Sequence, residues 1–206
     1  MNDLTDRAVV NTLIARTTPA EGAVAALRER LVASADEAGI LDLAYTTTST
    51  PVGLLLLAAT ERGLVRVAFE QEDHDRVLAV LSEKIGARIM RTPQRLDNVV
   101  REIDEYFAGT RTHFDLPLDL SLSSGFRRLV QQHLPHIGYG RTESYSEVAR
   151  SVGSPRAVRA VGSACATNPL PVVVPCHRVL RADGSLGGYI GGIRAKTALL
   201  ELEGVA

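Results

Sequence analysis

Between residues 144 and 169 the chain permits two short helices and nothing longer. Ser144-Tyr145-Ser146-Glu147 is a capping box, in which a serine hydroxyl and a glutamate three positions on satisfy each other's backbone donors. Gly153 supplies a left-handed stop for the helix it opens. Ser154-Pro155 then starts a second helix at once, and Asn168-Pro169 prevents it from running past about Ala166. Two short helices joined by a tight Gly-Ser-Pro turn outline a helix-turn-helix or an ordinary helical hairpin, and the outline alone does not choose between them.

The remainder of the chain sorts around that unit. Thr18-Pro19-Ala20-Glu21 is another capping box, and Val24, Leu27 and Leu31 follow at helical spacing, with Gly39 closing a helical stretch over the first forty residues. From Leu41 the periodicity changes to short β-type runs, Leu43 to Thr48, Val52 to Ala59 and Leu64 to Phe69, with glycine turns between them, which reads as a small antiparallel meander. Helices are expected near Asp75 to Ile85 and Leu96 to Phe107, the second stopped by Gly109. Arg111 to Ser124, ending Ser-Leu-Ser-Ser-Gly, reads as a linker, and Phe126 to Leu134 as a further helix. The class is α+β, in three segments: residues 1–40, 41–119 and 120–206.

At 206 residues with 45% hydrophobic content, the chain can bury a real core. Its net charge of -1 argues at first against a nucleic-acid partner. Divided at residue 120 the figure separates: 13 Lys and Arg against 19 Asp and Glu before it, a net of -6, and 10 against 5 after it, a net of +5. The positive share coincides with the two-helix unit, and nine of its ten cations are arginine, which favours directed phosphate contacts. Two cysteines, Cys165 and Cys176, are too few to staple a secreted fold. The acidic start lacks the features of a secretory signal and no run reaches about 18 apolar residues, so a cytoplasmic protein without membrane contact is expected.

Pro171-Val172-Val173-Val174-Pro175 reads as a short buried strand that delivers Cys176-His177-Arg178. A thiol becomes a nucleophile as thiolate, and an imidazole or a cation beside it favours that state, so His177 and Arg178 are the local candidates. A Cys-His pair by itself is as readily a buried structural thiol. The glycines from Gly184 to Gly192 lack the following Gly-Lys-Ser/Thr of a phosphate loop and fit permissive backbone beside a substrate. The spacing of Cys165 to Cys176 and His177 matches no structural zinc pattern, so neither metal nor cofactor is expected.

The string Pro175-Cys176-His177-Arg178-Val179, with Asn168-Pro169 before it and Asp183-Gly184, Gly187-Gly188-Tyr189 and Gly191-Gly192 after it, resembles the active-site region of the O6-alkylguanine-DNA alkyltransferases. The likeness extends through Ser144-Tyr145, Ala157 to Gly162, Lys196, Leu199-Leu200 and Glu203-Gly204. It is dense over residues 126–204 and looser over 42–119, where Tyr106-Phe107-Ala108-Gly109 matches. It implies a ribonuclease-H-like α/β domain followed by a helical, winged-helix-like domain whose helix-turn-helix enters the minor groove while the damaged base is rotated into a pocket. The activity it implies is irreversible, single-use transfer of an alkyl group from O6-alkylguanine, with O4-alkylthymine as a second substrate, to Cys176. The partner is double-stranded DNA containing alkylated bases, and a monomer is expected.

Carried over residue by residue, Cys176 is the acceptor, His177 its base through a water, and Glu203 orients His177. Tyr145 helps to rotate the nucleotide and donates to the leaving purine, and Arg159 fills the gap in the duplex. Asn168 and Lys196 brace and polarise the cysteine loop. Ser146, Ser154, Arg127, Ala160 and Gly162 join Arg159 and Tyr145 at the DNA, and Tyr189, Ile190, Val179 and Pro171 wall the pocket. Gln131 and Gly138 depart from a frequent aromatic and a frequent proline, with packing consequences only, and Ile190 leaves the range of alkyl groups open. The chemistry suits these residue types on its own terms, since sulfur attacks a soft carbon centre well and water does not readily displace the thioether formed. Two other readings remain: a protein that binds alkylated bases without reacting, or regulates transcription, and a Cys-His-Glu hydrolase.

Overall fold

The computed structural model describes residues 21–205. The expected cap at Thr18-Pro19-Ala20 lies outside them. Residues 21–40 and residues 41–205 belong to two separate compact units. The first is a helix, α1 (Glu21–Glu37), closed by Gly39 at φ +62°. Leu27 and Leu31 stand exposed along it at 67% and 59% of their surface.

In the second unit, β1 (Leu43–Thr50), β2 (Gly53–Thr60) and β3 (Gly63–Phe69) form the expected antiparallel meander. A short strand, β4 (Ile89–Arg91), was not anticipated and pairs parallel to β1, so the sheet is mixed, in the order β3-β2-β1-β4. Three residues carry too little periodicity to announce a strand. β2 is apolar without alternation because both of its faces are covered. Leu56 and Ala58 turn toward Val77 and Leu81 of α2 (His74–Lys84). Leu55 and Leu57 turn toward Leu96 and toward Val99, Ile103 and Tyr106 of α3 (Asp97–Phe107). This second layer runs without a break to Cys176 and the C-terminal helices.

The expected linker at 111–124 is a packed segment. Leu64 N–H donates to Pro117 O at 2.9 Å and Asp119 N–H to Leu64 O at 2.9 Å. The buried Asp119 carboxylate accepts from Thr60 Oγ1 at 2.7 Å and from Arg62 Nε at 3.1 Å. Gly63 permits this approach, since a Cβ there would lie 2.1 Å from Pro117 O. Serine and glycine content suggested flexibility, but long-range partners fix the segment.

The C-terminal part is helical: α4 (Gly125–His133), α5 (Tyr145–Ser151), α6 (Val158–Ala166) and α7 (Gly192–Leu202), with a parallel pair of short strands, β5 (Glu143–Ser144) and β6 (Val179–Leu180). The capping box at Ser144 and Glu147 forms, and Gly153 takes φ +72° at the end of α5. Helix α6 starts at Val158, later than expected, because Ser154 to Ala157 close into a turn with Ala157 N–H donating to Ser154 O at 2.8 Å. α5, the turn and α6 make a helix-turn-helix. Gln131 is buried on α4 and its Nε2 points to Ala164 O of α6 at 3.5 Å, a weak contact.

Candidate active site

Residues 171–174 do not form a strand. Val172 sits at φ +73°, and the segment coils around the Asn168 side chain. Asn168 Oδ1 accepts from Leu170 N–H at 3.0 Å, and its Nδ2 donates to Val174 O at 2.8 Å and to Cys176 Sγ at 3.2 Å. One buried amide thus ties the whole loop to the thiol, and its demands outweigh the β propensity of three valines. The loop ends in a tight turn, Cys176–Arg178, whose three residues are all buried.

Burial pushes the Cys176 thiol up to about 11, against the pull of the Asn168 amide and the Lys196 ammonium. The group is therefore a neutral thiol at pH 7 and must lose a proton to react. Lys196, on α7, is fully buried and donates to Val179 O at 2.6 Å. Burial lowers its own pKa, while the neighbouring thiols favour its charge. Arg178 does not serve the thiol, contrary to the expectation that it lowers the Cys176 pKa. Its guanidinium donates from Nε to Glu203 Oε2 and from Nη2 to Oε1, both at 2.9 Å, and from Nη1 to Ile137 O at 2.5 Å.

Glu203 follows the last turn of α7 and is the hub of the site. Besides the two Arg178 contacts, it accepts from His177 Nε2 at 2.9 Å, from Tyr106 OH at 2.6 Å and from Gly140 N–H at 3.3 Å. Burial alone would raise its pKa, but the donors from His177, Arg178 and Tyr106 together hold it down at about 2. A carboxylate can only accept, so His177 Nε2 carries the hydrogen and Nδ1 the lone pair. Nδ1 has no partner among the described residues, and burial lowers the His177 pKa, which keeps the ring neutral at pH 7. A buried base adjacent in sequence to a protonated thiol is the result.

A cleft of about 480 Å³ adjoins this relay through Tyr189 and is lined by Tyr145, Gly162, Arg181, Gly187, Tyr189 and Ile190 among others, with Cys176 and His177 outside the lining. Tyr145 is the first residue of α5 and is half-buried. Burial raises its pKa, as do the neighbouring thiols, so it is a neutral donor at pH 7. Tyr189 packs edge-on against His177, ring centres 6.3 Å apart, and against Phe69 at 5.7 Å. Gly191 stacks so closely on Phe69 that a Cβ would meet its ring at 2.5 Å, and Gln71 Nε2 donates to Ile190 O at 2.5 Å. The two contacts anchor the 187–192 loop on the last residue of β3 and on the turn that follows it. Of the expected wall residues, Pro171 and Val179 are buried and do not line the cleft, whereas Tyr189 and Ile190 do.

Among the residues expected at DNA, Arg159 and Ala160 are exposed on α6, Gly162 faces Tyr145, and Ser154 lies in the turn before α6. Ser146 Oγ is 2.9 Å from Ser144 Oγ on α5, and Arg127 is exposed on α4. Tyr106 and Gly140 join the relay with no signal of that role in the sequence. Amphipathic spacing in α3 marks Tyr106 as a buried residue, but nothing local points to a partner 97 positions away.

A buried thiol next in sequence to a buried neutral imidazole, in a chain that carries a helix-turn-helix and a glycine-walled cleft, is the layout of a protein that performs cysteine chemistry on DNA. Residues 43–120 match the 6-O-methylguanine DNA methyltransferase ribonuclease-like domain, and residues 125–205 match the DNA-binding domain of the same family. The methylated-DNA–protein-cysteine methyltransferase of Mycobacterium leprae is 51% identical over 154 residues, 75% of this chain and 88% of the relative. The constitutive enzyme of Bacillus subtilis is 39% identical over 163 residues, 79% and 96% of the two chains. The crystal structure of the Mycobacterium tuberculosis O6-methylguanine methyltransferase superposes with a TM-score of 0.69 at 38% identity, over 78% of this chain and 92% of that one. A structure described as the Mycobacterium tuberculosis protein in complex with DNA gives 0.67 at 39% identity, with the same coverage. The chain belongs to the methylated-DNA–protein-cysteine methyltransferases, stoichiometric transferases that repair DNA by taking the alkyl group onto a cysteine of their own.

Proposed function

We propose that Cys176 is the alkyl acceptor and that each molecule reacts once. The observation that carries this reading is the His177 to Glu203 contact at 2.9 Å, which leaves the imidazole lone pair as the base for the adjacent thiol. In the proposed reaction the Cys176 proton passes through a water to His177 Nδ1. Sulfur attacks the alkyl carbon in line with guanine O6, an S–C bond forms and the C–O bond breaks. The electron pair stays on the purine, which takes a proton from Tyr145. The protonated imidazole then returns its proton to the tyrosinate by way of solvent, so that charge balances. Asn168 and Lys196 hold and polarise the thiolate as it forms, while Arg178, Tyr106 and Gly140 keep Glu203 charged and fixed.

In the same reading the helix-turn-helix lies in the minor groove, Arg159 fills the stack, and the base enters the cleft between Tyr145 and the 187–192 loop. Ser146, Ser154, Arg127, Ala160 and Gly162 contact or admit the backbone. Residues 41–119 serve as a ribonuclease-H-like support, residues 120–206 as a winged-helix-like reaction domain, and the protein acts as a cytoplasmic monomer on duplexes containing alkylated guanine or thymine. A methylated duplex oligonucleotide should make the Cys176 peptide heavier by one methylene, and Cys176→Ala should abolish the gain. Binding of the duplex without any mass change would favour a non-reactive sensor, and repeated turnover of a small acyl substrate without DNA would favour a hydrolase.

A further inference from the structure

A second cleft, about 520 Å³, adjoins the first and shares Ala166 and Ile190 with it. One wall belongs to α2, the other to α4 and the end of α6. Its floor is apolar, with Val80 and Leu122, and its charged lining is mostly cationic. Arg66 is neutralised there by Glu72. Arg76 and Lys84 of α2 and Arg127 of α4 have no ion pair among the described residues, and all three are exposed. The acidic Asp75 and Glu83 of α2 do not line the cleft. Although residues 1–120 carry a net charge of -6, two of their cations are thus brought to face the basic C-terminal part beside the site.

We propose that this cleft binds the sugar–phosphate backbone of DNA, so that α2 extends the DNA footprint beyond the helix-turn-helix. The inference rests on the DNA-repair reading above. Unpaired arginine and lysine side chains suit phosphates, and the apolar floor between them suits the faces of deoxyriboses. Continuity with the Tyr145 cleft places the bound strand next to the nucleotide being turned out. The footprint then includes a part of the chain whose overall charge would repel DNA.

The test measures affinity for a methylated duplex just long enough for one protein molecule, across a range of salt, using full-length Cys176→Ala to block reaction. Arg76→Gln and Lys84→Gln are compared singly and together in that background, with thermal unfolding to confirm that these exposed changes leave the fold intact. Each substitution should reduce the slope of log affinity against log salt by about one, and the pair should bind several-fold more weakly at low salt. A slope and affinity equal to those of the parent would overturn the proposal while leaving the DNA reading in place. Failure of the parent itself to bind duplex would remove that reading instead. A loss seen only on long duplexes that hold several molecules would assign the cleft to contact between protein copies, which also overturns it.

Discussion

Gly187 is a sharp mechanical probe of the proposed reaction. Its backbone is not in the left-handed region, so alanine is allowed conformationally, but the added Cβ would lie 2.2 Å from the Tyr145 hydroxyl and 3.0 Å from two ring carbons. Ordinary contact begins at 3.4 Å, so the phenol end must move by about 1 Å. Tyr145 is the first residue of α5, half-buried at the edge of the core, and its ring also lines the cleft, which leaves it room to move. A displacement of that size in the group proposed to orient and protonate the leaving purine costs roughly a hundredfold in rate. Gly187→Ala is therefore expected to slow single-turnover reaction with methylated duplex by about that factor, with little change in melting temperature. Rapid-quench measurement of methyl transfer under excess protein reads the rate directly. A Gly187→Ala protein that reacts as fast as the parent would refute the role given to Tyr145.

Gly191→Ala should behave oppositely, since its Cβ would strike the buried Phe69 ring at 2.5 to 2.7 Å. Overpacking there is expected to cost about 1–3 kcal/mol, seen as a fall of several degrees in calorimetry. Asn168→Ala leaves Leu170 N–H without its acceptor, takes one of the two donors from Val174 O, which keeps Cys176 N–H, and removes a donor to Cys176 Sγ. It should lower stability by about 2 kcal/mol and raise the Cys176 pKa further, read by the pH dependence of thiol alkylation. Glu203 is held at about 2 in the fold against an ordinary 4.5. Its contribution to stability, roughly 3 kcal/mol, is present above pH 4.5 and lost as pH falls toward 2, and acid titration of Glu203→Gln should lack this component. Arg159→Ala should slow reaction on duplex DNA far more than reaction with a free alkylated base, and equal losses would contradict its gap-filling role.

The legible parts of the molecule were those written in local signals. The capping box at Ser144, the glycine stops at Gly109 and Gly153 and the meander all follow from patterns spanning a few residues. The misread parts depend on partners far along the chain. Pro171 to Val174 has the composition of a strand, yet it wraps a single asparagine. The 111–124 segment has the composition of a linker, yet it pairs with β3. At the site, Cys176 and His177 were visible as neighbours. Arg178 was visible too, but its adjacency to the thiol misled, because the guanidinium turns to Glu203. Tyr106 shows the limit most clearly, since its hydrogen bond joins the end of α3 to the end of the chain.

In the proposed reaction Cys176 accepts the alkyl group and keeps it. The most direct test of this is the intact mass of the full chain incubated with rising amounts of methylated duplex. A gain of one methylene per molecule is expected, reaching a plateau at one equivalent, mapping to the Cys176 peptide and absent from Cys176→Ala. Methyl loss from the DNA that continues past one equivalent, or a gain that persists in Cys176→Ala, would contradict it.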